Sequence, residues 1–381
     1  MSGYFGNQDC DIAAFEAHIS QTTQIKNLTY ASGTTKNIPV YEVPDLLDVM
    51  RGSARRSLLT EWSSVMMEGA GVIVLKHAYA DTSVLDAATA IYEAIIAEEK
   101  EAFGAGADHF AAAGANDRVW NSLQKLCLKD PVLFARYFGN EAIQAASEAW
   151  LGPMYQMTAQ VNLVYPGGAA QTAHRDYHLG FQTADIAGSF PAHVHDLSPV
   201  LTLQGAIAHC DMPVESGPTK LLPFSQSYRP GYMAYRLPEF QACFEERYVQ
   251  VPLEKGDLVF FNPALFHAAG ANTSKDINRF ANLLQVGSAM GRSIESVDRT
   301  TMCKALFPAL STANLRVEER AAAIAACAEG YSFPTNLDSD PPIGGLVPQT
   351  QADLFHKAVR EGWAPDTFNT ALDRLDQRRQ T

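Results

Sequence analysis

The segment Thr172-Ala173-His174-Arg175-Asp176-Tyr177-His178 carries the densest chemistry in the sequence. His174 and Asp176 stand two residues apart, so in an extended chain both side chains point to one side. An imidazole and a carboxylate held this way supply two thirds of a two-histidine, one-carboxylate facial triad. Non-haem Fe(II) oxygenases use that triad because three ligands on one octahedral face leave the other face open for cosubstrate and O2. Alone, His-x-Asp is a weak signal, since chance supplies it in many chains of this length. The plain alternative is hydrogen-bonded histidines near a solvated aspartate.

A second segment strengthens the first. Gly256-Asp257 turns into the apolar run Leu258-Val259-Phe260-Phe261, which continues through Asn262-Pro263 to His267. Gly270, Asn272 and Ser274 then make a loop, and Arg279 opens the next apolar run. A histidine closing one β-run and an arginine opening the next suit a third ligand and a carboxylate clamp. Arginine fits because its planar fork binds a carboxylate through two parallel hydrogen bonds and stays charged when buried. A structural ion pair is the alternative for Arg279. Gln160 and Asn162 lie at i and i+2 of another candidate strand and share one sheet face. There they could bond cosubstrate or substrate, or simply bond within the sheet.

The elements that must position these residues are short. From Met154 to about residue 287, candidate strands fall at 156–165, 200–209, 248–251, 258–262 and 280–286. Such strands without interleaved long helices predict a double-sheet jelly roll of the cupin type. Residues 182–199 read as a long strandless cover carrying His193 and His195, too few ligands for a second metal site. Arg175 points away from its neighbours, toward a supporting contact, the cavity mouth or a salt bridge. Tyr177 and His178 are candidates for a substrate entrance, and His209 and Cys210 for core.

Helices are expected at 55–67, from Ser83 onward, over 117–151, and at 315–328, 351–360 and 365–378, with a buried strand at 72–75. Residues 1–53 read as an irregular arm with one short helix near 11–20. The expected fold is therefore a mainly β core with α flanks. It is read as one oxygenase domain over residues 1–381, with its β core at about 154–288 and helical flanks at about 54–153 and 291–381.

Over roughly residues 70–288 the sequence resembles the phytanoyl-CoA dioxygenase family of Fe(II)- and 2-oxoglutarate-dependent oxygenases. The resemblance rests on His174-Arg175-Asp176, on the stretch from Asp211 through Gly217 to Pro223-Phe224-Ser225-Gln226, and on Gly256-Asp257 through His267 to Arg279. Two departures are visible. Pro-Gly-Ser-His is commoner at the 223–226 turn, and the interval from His267 to Arg279 is about one residue longer than in the family. The resemblance implies a double-stranded β-helix in which His174, Asp176 and His267 ligate Fe(II). It also implies that Arg279 binds the distal carboxylate of 2-oxoglutarate and that O2 completes the iron face. Succinate and CO2 would be released and a hydroxyl group delivered to an unactivated C–H. Related halogenases lack the carboxylate, so Asp176 favours hydroxylation, desaturation or ring chemistry. A small metabolite, carboxylated or amino acid-like, is the expected substrate. An acyl-CoA substrate and a non-catalytic small-molecule-binding β-helix are the alternatives.

Composition sets the outer limits. The chain has 381 residues, 47% of them hydrophobic, enough for a large core. With 29 Lys plus Arg against 42 Asp plus Glu, the net charge is -13. That argues against duplex nucleic acid, which demands a basic surface. The six cysteines are scattered and read as reduced thiols. No signal-like start and no long apolar run are seen. A cytoplasmic monomer or homodimer without nucleic-acid or membrane partners is the expectation.

Overall fold

The computed structural model describes residues 3–103 and 115–380. Its strands, in chain order, are β1 Gly33–Thr35, β2 Ile38–Glu42, β3 Val72–Lys76, β4 Asn116–Val119 and β5 Gln156–Val164. There follow β6 Thr202–Ala208, β7 Lys220–Leu221, β8 Leu258–Phe261, β9 His267–Ala268 and β10 Arg279–Gly287. Eight of them form one sheet in the order β1-β2-β3-β8-β6-β10-β5-β4, and β7 pairs with β9 in a second, smaller layer. Bridges His174↔His267 and Leu221↔Val249 widen that smaller layer on both sides.

The chain between β5 and β10 therefore shuttles between two layers. It leaves β5 for the His174 bridge, returns to β6, crosses to β7 and Val249, returns to β8, crosses to β9 and ends in β10. This is the double-stranded β-helix expected from the sequence. Strand β5 shows why each layer holds its place. Met157, Ala159, Val161 and Leu163 alternate onto one face and join the main core. Gln160 and Asn162 alternate onto the other, toward the space between the layers.

Helices cover the outer face of the large sheet. Trp62 from Arg55–Met67, Tyr92 from Ser83–Phe103 and Phe134 from Pro131–Phe138 pack in one cluster with Met157, Phe260 and Leu284. His209 is buried in this layer, between the Tyr137 hydroxyl at 2.6 Å and the Thr89 hydroxyl at 2.8 Å. Among the described residues no helix is long and apolar enough to cross a membrane.

The reading of residues 1–53 as an irregular arm is corrected. Besides the helix Ile12–Ile19, this stretch holds the hairpin β1-β2 and the helix Val43–Arg51. Lys36 and Asn37, both at positive φ, make its two-residue turn without the glycine that usually marks one. Strand β2 then runs parallel to β3 and extends the main sheet. Residues 116–119 form an edge strand rather than helix, and 248–251 contribute a single bridge rather than a strand. The cover over 182–199 holds no strand, as expected, and carries two short helices, Ala184–Gly188 and Ala192–Leu197. Part of the N-terminal flank, 104–114, lies outside the described residues. Phe224 sits at φ 70°, a left-handed conformation that explains why glycine is commoner there.

Candidate metal centre

His174 and His267 are joined by the backbone. His174 N–H donates to the His267 carbonyl at 3.0 Å, and His267 N–H donates back at 3.1 Å. Asp176 is tied two residues further along, its N–H donating to the Pro263 carbonyl at 2.9 Å. The one-residue alternation then puts His174 and Asp176 on one side, facing His267. The ligand atoms of the three residues lie within 4.8 Å of one another, and this is the group of potential metal ligands found among the described residues.

Each imidazole is oriented by its own strand. Nδ1 of His174 lies 2.8 Å from the Thr172 carbonyl, and Nδ1 of His267 lies 2.8 Å from the Leu265 carbonyl. A carbonyl only accepts, so both Nδ1 atoms carry the proton and both Nε2 atoms present a lone pair. Those Nε2 atoms each stand 3.7 Å from a different oxygen of Asp176. Burial pushes the His174 pKa down, assisted by His267, so the ring is available as a neutral donor. Burial alone would raise the Asp176 pKa. The charge that the imidazoles carry when protonated, together with the Gln204 amide, outweighs it and holds the carboxyl below its ordinary range. Two neutral imidazole nitrogens and one carboxylate fit a divalent first-row metal with open positions.

Gln204 was not anticipated from the sequence. Its Nε2 donates to Asp176 Oδ2 at 2.5 Å. That bond fixes the amide, and its Oε1 is buried without a partner beside the ligands. The orphan oxygen suits a donor such as a metal-bound water. A signal existed: Gln204 is the polar residue at an alternate position in Thr202-Leu203-Gln204-Gly205-Ala206, the pattern that exposed Gln160 and Asn162.

The three ligands border a cavity of about 590 Å³ between the layers. Gln160, Asn162, Gln204, Gln285 and Arg279 line it, with Val259, Phe261 and Leu283 as apolar wall. Arg279 is buried, and its Nη1 donates to the carbonyls of Ser216 at 3.1 Å and Gly270 at 3.0 Å. Burial pushes its pKa down to about 10, which leaves it charged at neutral pH. Gln160 Oε1 accepts from Arg118 at 3.2 Å, whereas Asn162 Oδ1 is buried without a partner.

The neighbouring positions divide. Tyr177 lines the cavity; His178 is not among its lining residues. Arg175 makes no salt bridge among the described residues. Its guanidinium is buried behind the site and donates to the carbonyls of Ser225, Gln226 and Tyr228 at 2.6, 3.2 and 2.8 Å. His195 is buried against the Ala187 carbonyl while His193 is exposed, so the pair does not converge.

A double-stranded β-helix that gathers a His-x-Asp pair, a distal histidine and a buried arginine around one cavity is the architecture of 2-oxoglutarate-dependent non-haem iron enzymes. The family model described as Phytanoyl-CoA dioxygenase (PhyH) matches residues 67–281. The chain belongs to that family and is an iron enzyme using 2-oxoglutarate and O2.

No curated protein matches the chain. Among solved structures, it is similar to SnoN, a non-heme alpha ketoglutarate dependent epimerase from nogalamycin biosynthesis. The identity is 21% and the TM-score 0.41, over 61% of this chain and 84% of that one. The carbocyclase SnoK from nogalamycin biosynthesis is 22% identical with a TM-score of 0.43, over 58% of this chain and 80% of that one. EvdMO1 is 17% identical with a TM-score of 0.43, over 60% and 50%.

Proposed function

We propose that this enzyme, built as one oxygenase domain, hydroxylates an unactivated C–H of a small organic metabolite. In this reading His174, Asp176 and His267 hold Fe(II), and Arg279 with Gln160 and Asn162 holds 2-oxoglutarate. The observation that carries it is the approach of two Nε2 atoms to Asp176, 3.7 Å each, on the wall of a cavity that Arg279 also lines.

Bound iron would supply O2 activation coupled to decarboxylation of 2-oxoglutarate to succinate, and with it oxidation of the substrate C–H. The side chains do the rest. The Thr172 and Leu265 carbonyls keep both Nε2 atoms deprotonated and aimed. Gln204 holds the Asp176 carboxylate in place. Arg279 offers a charged donor for a carboxylate in a site shielded from bulk water, where that interaction is strong. The amide heads of Gln160, Asn162, Gln204 and Gln285 put four polar groups on the cavity wall beside its apolar side chains, which supports a small metabolite with polar groups over a fatty acyl chain.

The test is succinate formation from 2-oxoglutarate with Fe(II), in wild type and in His174→Ala. Wild type should form succinate and the variant should not. Equal rates would end the ligand assignment.

A further inference from the structure

Asp176 is held differently from the two histidines. His174 and His267 pair with each other through the sheet ladder, whereas Asp176 lies just past that bridge, outside the named strands. Among the described residues three hydrogen bonds tie it instead. Its N–H donates to the Pro263 carbonyl at 2.9 Å, and Gln204 Nε2 holds its Oδ2 at 2.5 Å. The third bond falls on its backbone carbonyl, which accepts from the Tyr232 hydroxyl at 2.9 Å. A carbonyl only accepts, so the hydroxyl is the donor.

Tyr232 stands in the short helix Gly231–Ala234 and is fully buried. Its ring packs with Leu179 and Ala264, and the Arg175 guanidinium carbon lies 5.2 Å from the ring centroid. The His195 ring makes a T-shaped contact with it, the centroids 6.0 Å apart. Close packing on these sides fixes where the hydroxyl points. The carbonyl it meets leads into the turn Tyr177-His178-Leu179-Gly180, which Gly180 N–H closes by donating to the Tyr177 carbonyl at 2.8 Å. Tyr177, the first residue of the turn, and Phe181, which follows it, both line the cavity. The turn thus joins a candidate metal ligand to the cavity wall. Its far end is fixed separately. There the Gly180 carbonyl accepts from the Tyr235 hydroxyl at 2.9 Å and from Arg236 Nη2 at 3.4 Å.

We infer that Tyr232 is a positioning residue for Asp176. Its hydroxyl fixes the peptide unit that follows the ligand, and with it the direction from which the carboxylate meets the two Nε2 atoms. A site of this kind must hold its groups within about 0.5 Å. Without the hydroxyl the Asp176 carbonyl loses its donor, and the peptide unit between ligand and turn is free to tilt. The inference rests on the reading of His174, Asp176 and His267 as a metal centre.

The experiment compares Tyr232→Phe with Tyr235→Phe in the full chain. Each removes one buried hydroxyl and keeps its ring, but only the first touches the carbonyl of the ligand. Calorimetric titration with Mn(II), without cosubstrate, reads affinity, and the visible absorption of the Co(II)-loaded protein reads ligand geometry. Tyr232→Phe should weaken Mn(II) binding by about tenfold, the low end for loss of an outer partner, and should shift the Co(II) bands. Tyr235→Phe should leave both at wild type. Urea denaturation checks that each variant is folded. Wild-type affinity and Co(II) bands in Tyr232→Phe would overturn the inference. So would equal losses in the two variants, which would mark a general loosening of the turn. A Tyr232→Phe chain that did not fold would overturn it as well, by making the hydroxyl a requirement of the fold. If wild type bound no Mn(II), the underlying reading of the metal centre would fall first, before any variant was compared.

Discussion

His174 and His267 exchange two backbone hydrogen bonds across the smaller layer, and the same pairing sets their ring centroids 4.5 Å apart beside Asp176. Residues 93 positions apart in sequence thus meet through the sheet ladder, not through side-chain packing. The ligand geometry is as rigid as the strands that carry it.

Gln204 should matter almost as much as a ligand. Gln204→Ala removes the amide that holds Asp176 Oδ2 and leaves that oxygen free to turn. Loss of such an outer partner typically weakens metal binding by about 10- to 100-fold. Calorimetric titration with Mn(II) checks this, and unchanged affinity would remove Gln204 from the site.

Arg279→Lys tests the carboxylate clamp. Lysine keeps a charge but loses the planar fork, and the carbonyls of Ser216 and Gly270 lose their shared donor. The KM for 2-oxoglutarate should rise by about 10- to 100-fold, since a charged hydrogen bond is worth about 1.5–3 kcal/mol. Metal affinity measured without cosubstrate should stay near that of wild type. An unchanged KM would place the cosubstrate elsewhere.

The double-stranded β-helix was legible because its strands alternate. Gln160 and Asn162 could be placed on one face of β5, and His174 with Asp176 on one side, from period two alone. Arg279 was legible despite its longer interval from His267, because it opens an apolar strand. The hairpin β1-β2 was not legible, because Lys36-Asn37 turns without glycine and the flanking strands are short. The role of Arg175 was legible in part: alternation turned it away from His174 and Asp176, but its partners were hidden. Three backbone carbonyls hold its guanidinium, and backbone partners leave no trace in side-chain identity.

Gly231→Ala probes that hidden contact. A Cβ there would lie 1.9 Å from Cζ of Arg175, within a buried side chain. Overpacking of this kind costs about 1–3 kcal/mol. Arg175→Met should cost about 3 kcal/mol or more, because several buried carbonyls lose their donor at once. Urea denaturation measures both, and wild-type midpoints would contradict the packing described.

His209 sets a pH dependence of stability. Burial is the main cause that pushes its pKa down from 6.5 to about 3, with Lys255 assisting. Below pH 6.5 the unfolded chain takes up a proton that the folded chain refuses. Stability should therefore fall as pH drops from about 6.5 toward 3, by up to about 1.4 kcal/mol per pH unit from this group. Above that window the group contributes no slope. His209→Gln should lose stability at neutral pH through its lost bonds to Tyr137 and Thr89, yet show a shallower decline on acidification. Parallel declines in wild type and variant would refute the assignment.

The central claim is that His174, Asp176 and His267 form one metal site. Anaerobic calorimetric titration of the metal-free protein with Fe(II) tests it most directly. Wild type should bind one Fe(II) per chain, and His174→Ala, Asp176→Ala and His267→Ala should each weaken binding at least tenfold while remaining folded. A folded His267→Ala variant that bound Fe(II) with wild-type affinity and stoichiometry would contradict it.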